Sequence, residues 1–403
     1  MQEHKPSRAH LALTGNIRIL ALESFLSQIS AKMLGVVWQP FVLSLGASMA
    51  VLGGLESIRS LTSALIQPIL GWAADKVGRK PFIVLGSFLT VIAFSLCVIA
   101  STWHFLIPAI LLLGASALSG PARQSLLAES VAPGERATAY SVVSFPAALT
   151  GFFAPLAGGF LATHYGFKSV FYLSILTITA SSALIILFLK ETFDKGNLSI
   201  AGEDVIGALK GVLKPESGLE RFYAAMALNA FSVGMLVSIL YGMLTKTFGF
   251  TPYQLGVMGT LFWMAIAVSQ IPAGKLADRY GRKTILVVSG VLFIVLCFGW
   301  LLSRSFEAFA LLHILAGVSV APWGPAASAL LADSVPLENR AEAMGKFACF
   351  TGLIASPAPY VGGILYELFG FYGPVVATLL LKVLTLLIII QLNLPQVSEP
   401  AGG

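Results

Sequence analysis

The chain has 403 residues, 57% of them hydrophobic and 11% charged, with a net charge of +6 and a mean hydropathy of +0.86. A soluble domain carries about 25% charged residues, so this composition excludes a water-soluble globular protein and leaves lipid as the solvent. A crossing needs about 20 apolar residues, so the length holds a dozen spans and little else, and the basic excess, gathered at span junctions, gives no reason to expect a nucleic-acid partner.

Residues 1–15 are polar and carry Lys5 and Arg8. The apolar stretch that follows is long and contains Glu23, Gln28 and Lys32, so it reads as a retained first span and not as a cleaved leader. Charges, turns and Gly/Pro clusters then place spans near 17–44, 49–70, 81–101, 104–128, 137–163, 168–189, 221–246, 252–273, 284–303, 306–331, 341–365 and 370–392. The expected fold class is an all-α membrane protein of twelve transmembrane helices in two pseudo-symmetric six-helix bundles. Residues 1–189 form the first bundle, 190–220 a linker, and 221–403 the second bundle with a short tail. Within the linker, EDVIGALKGVLK (203–214) has one apolar face and suits a short helix lying on the membrane surface, or a plain tether. Seventeen lysines and arginines fall on one side of this topology and three (Lys168, Lys246 and Arg304) on the other. The positive-inside rule puts both termini and the linker in the cytoplasm, across the cell (inner) membrane. Cys97, Cys297 and Cys349 lie inside apolar stretches and read as packing residues.

The sequence repeats itself at a spacing of about 204 residues. GWAADKVGRK (71–80) recurs as GKLADRYGRK (274–283), and GPARQSLLAESVAPGERA (120–137) as GPAASALLADSVPLENRA (324–341). Pro155, Gly158, Gly159 and Gly166 return as Pro359, Gly362, Gly363 and Gly370. Turn, kink and ion-pair residues recur while the apolar filler varies, as lipid-facing positions allow. Six spans per copy give the two halves the same orientation, an arrangement suited to two bundles rocking about a central site.

In residues 71–80, Gly71 and Gly78 allow a tight turn or close helix approach, and Asp75 stands four residues before Arg79. Glu129, at the end of span four, is a second acid within reach of Arg79; Asp278, Arg282 and Asp333 repeat the set. An interfacial ion-pair network of this kind can latch one conformation. These loops resemble the signature of the major facilitator superfamily, G-x-x-x-D-x-x-G-R-[KR], matched in full twice, and the resemblance extends over the span count, the repeat and the long middle loop. It implies a secondary transporter, with Asp75, Arg79 and Glu129 latching the cytoplasmic side. Span five contains GFFAPLAGG, from Gly151 to Gly159. It partly resembles the antiporter motif of drug/proton exchangers, G-x-x-x-G-P-x-x-G-G: Pro155, Gly158 and Gly159 fit, while Thr150 and Ala154 replace two glycines. The family's arginine in the first part of span four is absent, Ile110 standing there.

An ionisable side chain at the bilayer centre costs at least about 2.5–3.5 kcal/mol and asks for a role. Glu56 and Arg59 are i,i+3 neighbours on span two and suit a local pair. Glu23 and Lys32 lie nine residues apart and face opposite sides of span one. In the family, spans one, four, seven and ten line the cavity, which points to Glu23, Gln28, Lys32 and Arg123. Asn229, His313 and Trp323 are the matching features of the second half. Lys346 is expected to pair with Glu342. Lys382, alone in span twelve, a peripheral helix in this family, is expected to snorkel or meet a neighbour. The imbalance of charge places ion coupling in the first half and substrate shape selection in the second.

Metal-ligand spacing, phosphate-binding loops and nucleophile–base sets are lacking, so no cofactor, no metal and no enzymatic activity is expected. The leading expectation is a proton-coupled exporter of small amphipathic compounds, working as a monomer in the bilayer with protons as coupling ion. Uptake or exchange of a small organic anion, suggested by Lys32, Arg59 and Arg123, is the alternative. A non-transporting membrane receptor is the reading from another class.

Overall fold

A computed structural model describes residues 15–132, 135–192, 218–336 and 339–392. The surface helix or tether expected at 203–214 lies outside these residues. So do the side chains of residues 67–77 and 341–342, and with them the expected roles of Gly71, Asp75 and Glu342.

Every described element is helical, and twelve helices are long and apolar enough to cross a membrane. The spans run Asn16–Ser44, Met49–Ile66 (whose helix continues to Val77), Lys80–Ile99, Trp103–Glu129, Thr138–Tyr165 and Phe167–Phe188 in the first repeat. Those of the second are Glu220–Phe248, Pro252–Tyr280, Arg282–Leu302, Phe306–Asp333, Ala343–Phe369 and Tyr372–Ile390. Side chains such as Leu187, Val268 and Leu302 stand exposed on these helices, which makes sense only against hydrocarbon. The protein is an integral multi-pass membrane protein.

Spans two and eight are longer than expected, because the signature sequences supply their final turns. The helix reaches Val77 in one copy and Tyr280 in the other. Gly71 and Gly274 therefore lie within helices, and only Gly78 and Gly281 turn the chain, at φ of 112° and 87°. That left-handed region is the reason for glycine there. At Gly78 a side chain would also collide with Glu191, whose Oε2 lies 2.9 Å from the place a Cβ would occupy.

Several spans are broken near mid-length at equivalent positions of the repeat. Span four turns at Ala117–Leu118 and span ten at Ala321–Pro322. Span five breaks over Thr150–Phe153 and span eleven at Ser356–Pro357, each just before the proline that opens the next helix, Pro155 and Pro359. Proline cannot donate to the preceding turn and crowds it, so each break sits where the missing hydrogen bond costs least.

The chain forms two compact units. The first comprises residues 1–46, 65–201 and 251–260, and the second 47–64, 202–250 and 261–403. Each has an apolar core at the end that carries the signature loop. In the first unit Ala122, Leu127, Ala139 and Ile185 belong to it; in the second, Ala326, Leu331, Ala343 and Ile389, each pair 204 positions apart. The repeat seen as a string of loop residues is thus also a repeat of the packed interior.

Glycines bring the helices of each unit to backbone contact. A Cβ on Gly158 of span five would meet the Cα and carbonyl oxygen of Met33 in span one at 2.8 Å. A Cβ on Gly362 of span eleven would meet the carbonyl oxygen of Met235 in span seven. Their neighbours do the same with other helices of their units: Gly159 with Pro252 and Gly256, and Gly363 with Met49 and Ala50. Small residues of this kind permit the close van der Waals approach that holds helices together in lipid. Gly158 and Gly159 of the antiporter-like motif therefore pack helices closely, as Gly362 and Gly363 do in the second repeat, while Gly151 lies in the break of span five and Pro155 opens the helix that follows it.

Candidate functional site: two buried polar clusters

In the first unit Glu23 is fully buried. Its Oε1 accepts hydrogen bonds from Arg123 Nη2 at 2.7 Å and from Ser181 Oγ at 3.2 Å. Among the described residues its Oε2 has no hydrogen-bond partner, and neither has Arg123 Nε. Spans one, four and six thus converge on one carboxylate that uses half of its accepting capacity. Sequence alone selects Glu23 and Arg123 separately; their pairing, and the part of Ser181, appear only with the fold.

Lys32, nine residues further along span one, is buried and points elsewhere. Its Nζ donates to the Ala147 carbonyl at 2.8 Å, just ahead of the break in span five, and Thr150 Oγ donates to the same oxygen at 2.7 Å. The break exposes that carbonyl for a side chain to satisfy. Gln28 lies half-buried between Glu23 and Lys32. Glu56 holds Arg59 through Nη2 at 2.6 Å and Nε at 3.0 Å, within span two.

The second unit has a cluster of different chemistry. Lys382 is buried near the middle of span twelve, at 3% exposure, so it does not snorkel. Its Nζ donates to Asn229 Oδ1 of span seven. The ammonium also lies 4.2 Å from the ring centroid of Phe293 in span nine and 4.7 Å from that of Trp323 in span ten. No salt bridge to Lys382 occurs among the described residues. Asn229 and Trp323, expected to line a cavity, are brought together by a lysine not expected there. The signal that points to it is one charge at the midpoint of an otherwise uncharged span. His313 lies apart, its Nδ1–H donating to the Phe309 carbonyl at 2.8 Å and its ring stacked on Tyr241 at 5.9 Å.

The signature loops end in matched polar networks. Arg79 Nη2 stands 3.1 Å from Glu129 Oε1, and Arg282 pairs with Asp333. Lys80 Nζ donates to the Ile186 and Leu189 carbonyls that end span six, at 2.9 and 2.8 Å. Lys283 Nζ does the same at the end of span twelve, to Ile390 at 2.8 Å and Leu392 at 2.6 Å. A cation satisfying the last carbonyls of a helix meets both the unfilled acceptors and the negative end of the dipole. In the first unit Glu191 adds a contact that the sequence does not reveal: it accepts the backbone N–H groups of Arg79 at 3.2 Å and Lys80 at 2.8 Å, capping span three. Asp278, near the end of span eight, is exposed. Because Glu129 is 36% exposed, Glu129→Gln is expected to cost at most about 1 kcal/mol, read as a small fall in the melting temperature of the purified protein. A collapse of folding would show that this pair bears far more than a surface ion pair does.

The Major Facilitator Superfamily model matches residues 20–217 and 222–402. Among curated proteins, the multi-drug resistance efflux pump PmrA of Streptococcus pneumoniae is 26% identical over 378 residues, covering 90% of this chain and 92% of its own. The multidrug resistance protein MdtG of Salmonella arizonae is 24% identical over 328 residues, 79% of each chain. Among solved structures, the nucleoside transporter NupG superposes with a TM-score of 0.77 at 13% identity, over 93% of this chain and 99% of that one. A bacterial homologue of the human lysosomal transporter Spinster does so with a TM-score of 0.73 at 17% identity, over 96% and 97%.

Proposed function

Because this chain belongs to the major facilitator superfamily of transporters, we propose that it is a proton-coupled exporter of small amphipathic compounds, seated in the cell membrane with both termini in the cytoplasm. The observation that carries this reading is Glu23, a fully buried carboxylate with one oxygen held and one oxygen bare. A carboxylate engaged through only one oxygen leaves the other as a place where an incoming proton can bind without first displacing Arg123 or Ser181. Protonation weakens its hold on Arg123 and alters the contact joining spans one and four. That is the kind of change by which proton binding biases one conformation over another. The efflux pumps to which the chain is similar support the substrate class. The matched networks at Arg79 and Arg282 suit latches that such a cycle makes and breaks, and the excess of lysine and arginine at the span junctions of that side supports a cytoplasmic placement.

The organic-anion alternative draws on Lys32, Arg59 and Arg123. Two of these three cations are paired with carboxylates, Arg59 with Glu56 and Arg123 with Glu23, which favours the exporter. In proteoliposomes, an imposed proton gradient is expected to drive accumulation of a lipophilic cation such as tetraphenylphosphonium, and a protonophore to abolish it. Accumulation that ignores the protonophore would sink this reading.

A further inference from the structure

We propose that Lys382 is a second proton-binding site, built into the C-terminal repeat and exchanging its proton during the transport cycle. The proposal extends the proton-coupled reading above to a residue that reading does not use.

The first observation is position. The Glu23 cluster joins spans one, four and six through Glu23, Arg123 and Ser181. The Lys382 cluster joins spans seven, ten and twelve through Asn229, Trp323 and Lys382. These are the same three helices of the repeat. At the 204-residue offset Asn229, Trp323 and Lys382 fall two to four residues from the positions of Glu23, Arg123 and Ser181, so each copy has a polar junction of the same helices about one turn apart. Their chemistry differs: an acid paired with an arginine in one copy, and a lysine held by an amide and two aromatic rings in the other.

The second observation is the kind of partner. A charged lysine inside a membrane is ordinarily satisfied by an acid or by backbone carbonyls, as Lys32 is by that of Ala147. Lys382 has an amide instead. The oxygen of Asn229 accepts from the ammonium, and the –NH2 of the same side chain, turned about its Cγ, donates to the lone pair of the neutral amine. Asn229 therefore satisfies both protonation states, which an aspartate does not. The faces of Phe293 and Trp323 attract the charged form and lose that attraction when the proton leaves. The two forms thus differ in their contacts with spans seven, nine and ten, so the proton's arrival or departure shifts how those helices pack.

The ionisable groups on the helices around Lys382 are few. Span nine brings the Cys297 thiol, buried one turn on from Phe293 and in electrostatic contact with Lys382. Spans seven and ten bring Asn229 and Trp323, neither of which titrates, and His313 of span ten is engaged with Phe309 and Tyr241. Tyr366 and Glu367 of span eleven lie near that span's end, where Thr247, Lys246 and the Met49 amide hold them. In the step itself the ammonium N–H bond breaks, its electron pair remains on Nζ, and the proton passes to water. Uptake reverses this.

The test reads Trp323, whose ring lies under the ammonium. Purified wild-type protein titrated through the neutral range is expected to show a step in tryptophan emission. Lys382→Met, Lys382→Arg and Trp323→Phe should each abolish it. Methionine keeps the volume without a charge and arginine keeps the charge without titrating, so folding of either variant suffices. In proteoliposomes, Lys382→Met and Lys382→Arg are expected to retain downhill exchange of tetraphenylphosphonium and to lose at least about tenfold of the gradient-driven accumulation, roughly 1.4 kcal/mol of coupling. A flat wild-type titration, a step that survives in Lys382→Met, or gradient-driven accumulation in Lys382→Met equal to wild type overturns the proposal. A Lys382-dependent step in a protein whose transport ignores the proton gradient keeps the site and refutes the proton-coupled exporter, so the two failures are distinct.

Discussion

Arg123→Ala is expected to be among the most damaging single charge changes in this protein, lowering stability by about 3–5 kcal/mol, because it leaves a fully buried carboxylate without its cation. The double variant Glu23→Gln/Arg123→Gln removes both charges and keeps two hydrogen-bonding side chains in the same place, so it is expected to recover most of that loss. Thermal unfolding in detergent measures the cycle, and the coupling between the two changes is the quantity to read. Equal damage from the single and the double variant would mean that Arg123 acts by packing alone. The same double variant separates stability from coupling. It should fold and still bind a lipophilic cation, yet respond to a proton gradient no more than liposomes without protein do. Wild-type gradient-driven transport by that variant would remove Glu23 from the coupling mechanism.

How far the sequence reveals this arrangement differs by feature. Span number, the repeat and the latch acids are readable because they rest on local signals: apolar length, glycine and proline at fixed offsets, and charges at helix ends. Arg79 with Glu129 and Arg282 with Asp333 belong to this class, since a repeated loop names both partners. The helix ends are less visible. Gly71 looks like part of a turn, yet the helix runs to Val77, because one glycine in a helix costs only about 1 kcal/mol and packing overrides it. The buried clusters are the least visible. Ser181 is an ordinary serine in an apolar span, and Lys382 a charge on a helix expected to be peripheral. Their meaning comes from helices more than a hundred residues away, at Glu23 and at Asn229. The contacts of Glu191 with the chain at Gly78–Lys80 are likewise a property of the fold, carried by no motif.

The expectation that ion chemistry is confined to the first repeat rested on counting charges. Counting junctions gives another picture, since buried ionisable groups stand where the first, fourth and sixth helices of each repeat meet, Glu23 with Arg123 in the first and Lys382 in the second. Two groups of opposite sign respond to a proton in opposite senses. On the proposed reading, a proton taken up at Glu23 loosens an ion pair in the first unit, while one taken up at Lys382 creates cation–π contacts in the second.

Gly158→Leu and Gly362→Leu should each prevent assembly of the unit that contains them. At Gly158 even a methyl group meets the Met33 backbone at 2.8 Å, and backbone, unlike the end of a flexible side chain, has no rotamer by which to withdraw. Gly158→Ala is therefore expected to cost about 1–3 kcal/mol through enforced separation of spans one and five, and the leucine variants more than the protein can bear. The controls are Gly120→Ala and Gly324→Ala, at helical positions where an added Cβ meets nothing within 4 Å. These should be neutral or raise stability by about 0.4–1 kcal/mol, since alanine restricts the unfolded chain more than glycine does. Monodispersity on size exclusion and melting temperature distinguish the outcomes. If Gly158→Ala and Gly362→Ala match their controls in stability but lose transport, the glycines act in motion and not in assembly, and the antiporter-like motif has a role beyond packing. If all four alanine variants behave alike in both assays, the close crossings at Met33 and Met235 do not hold the units together.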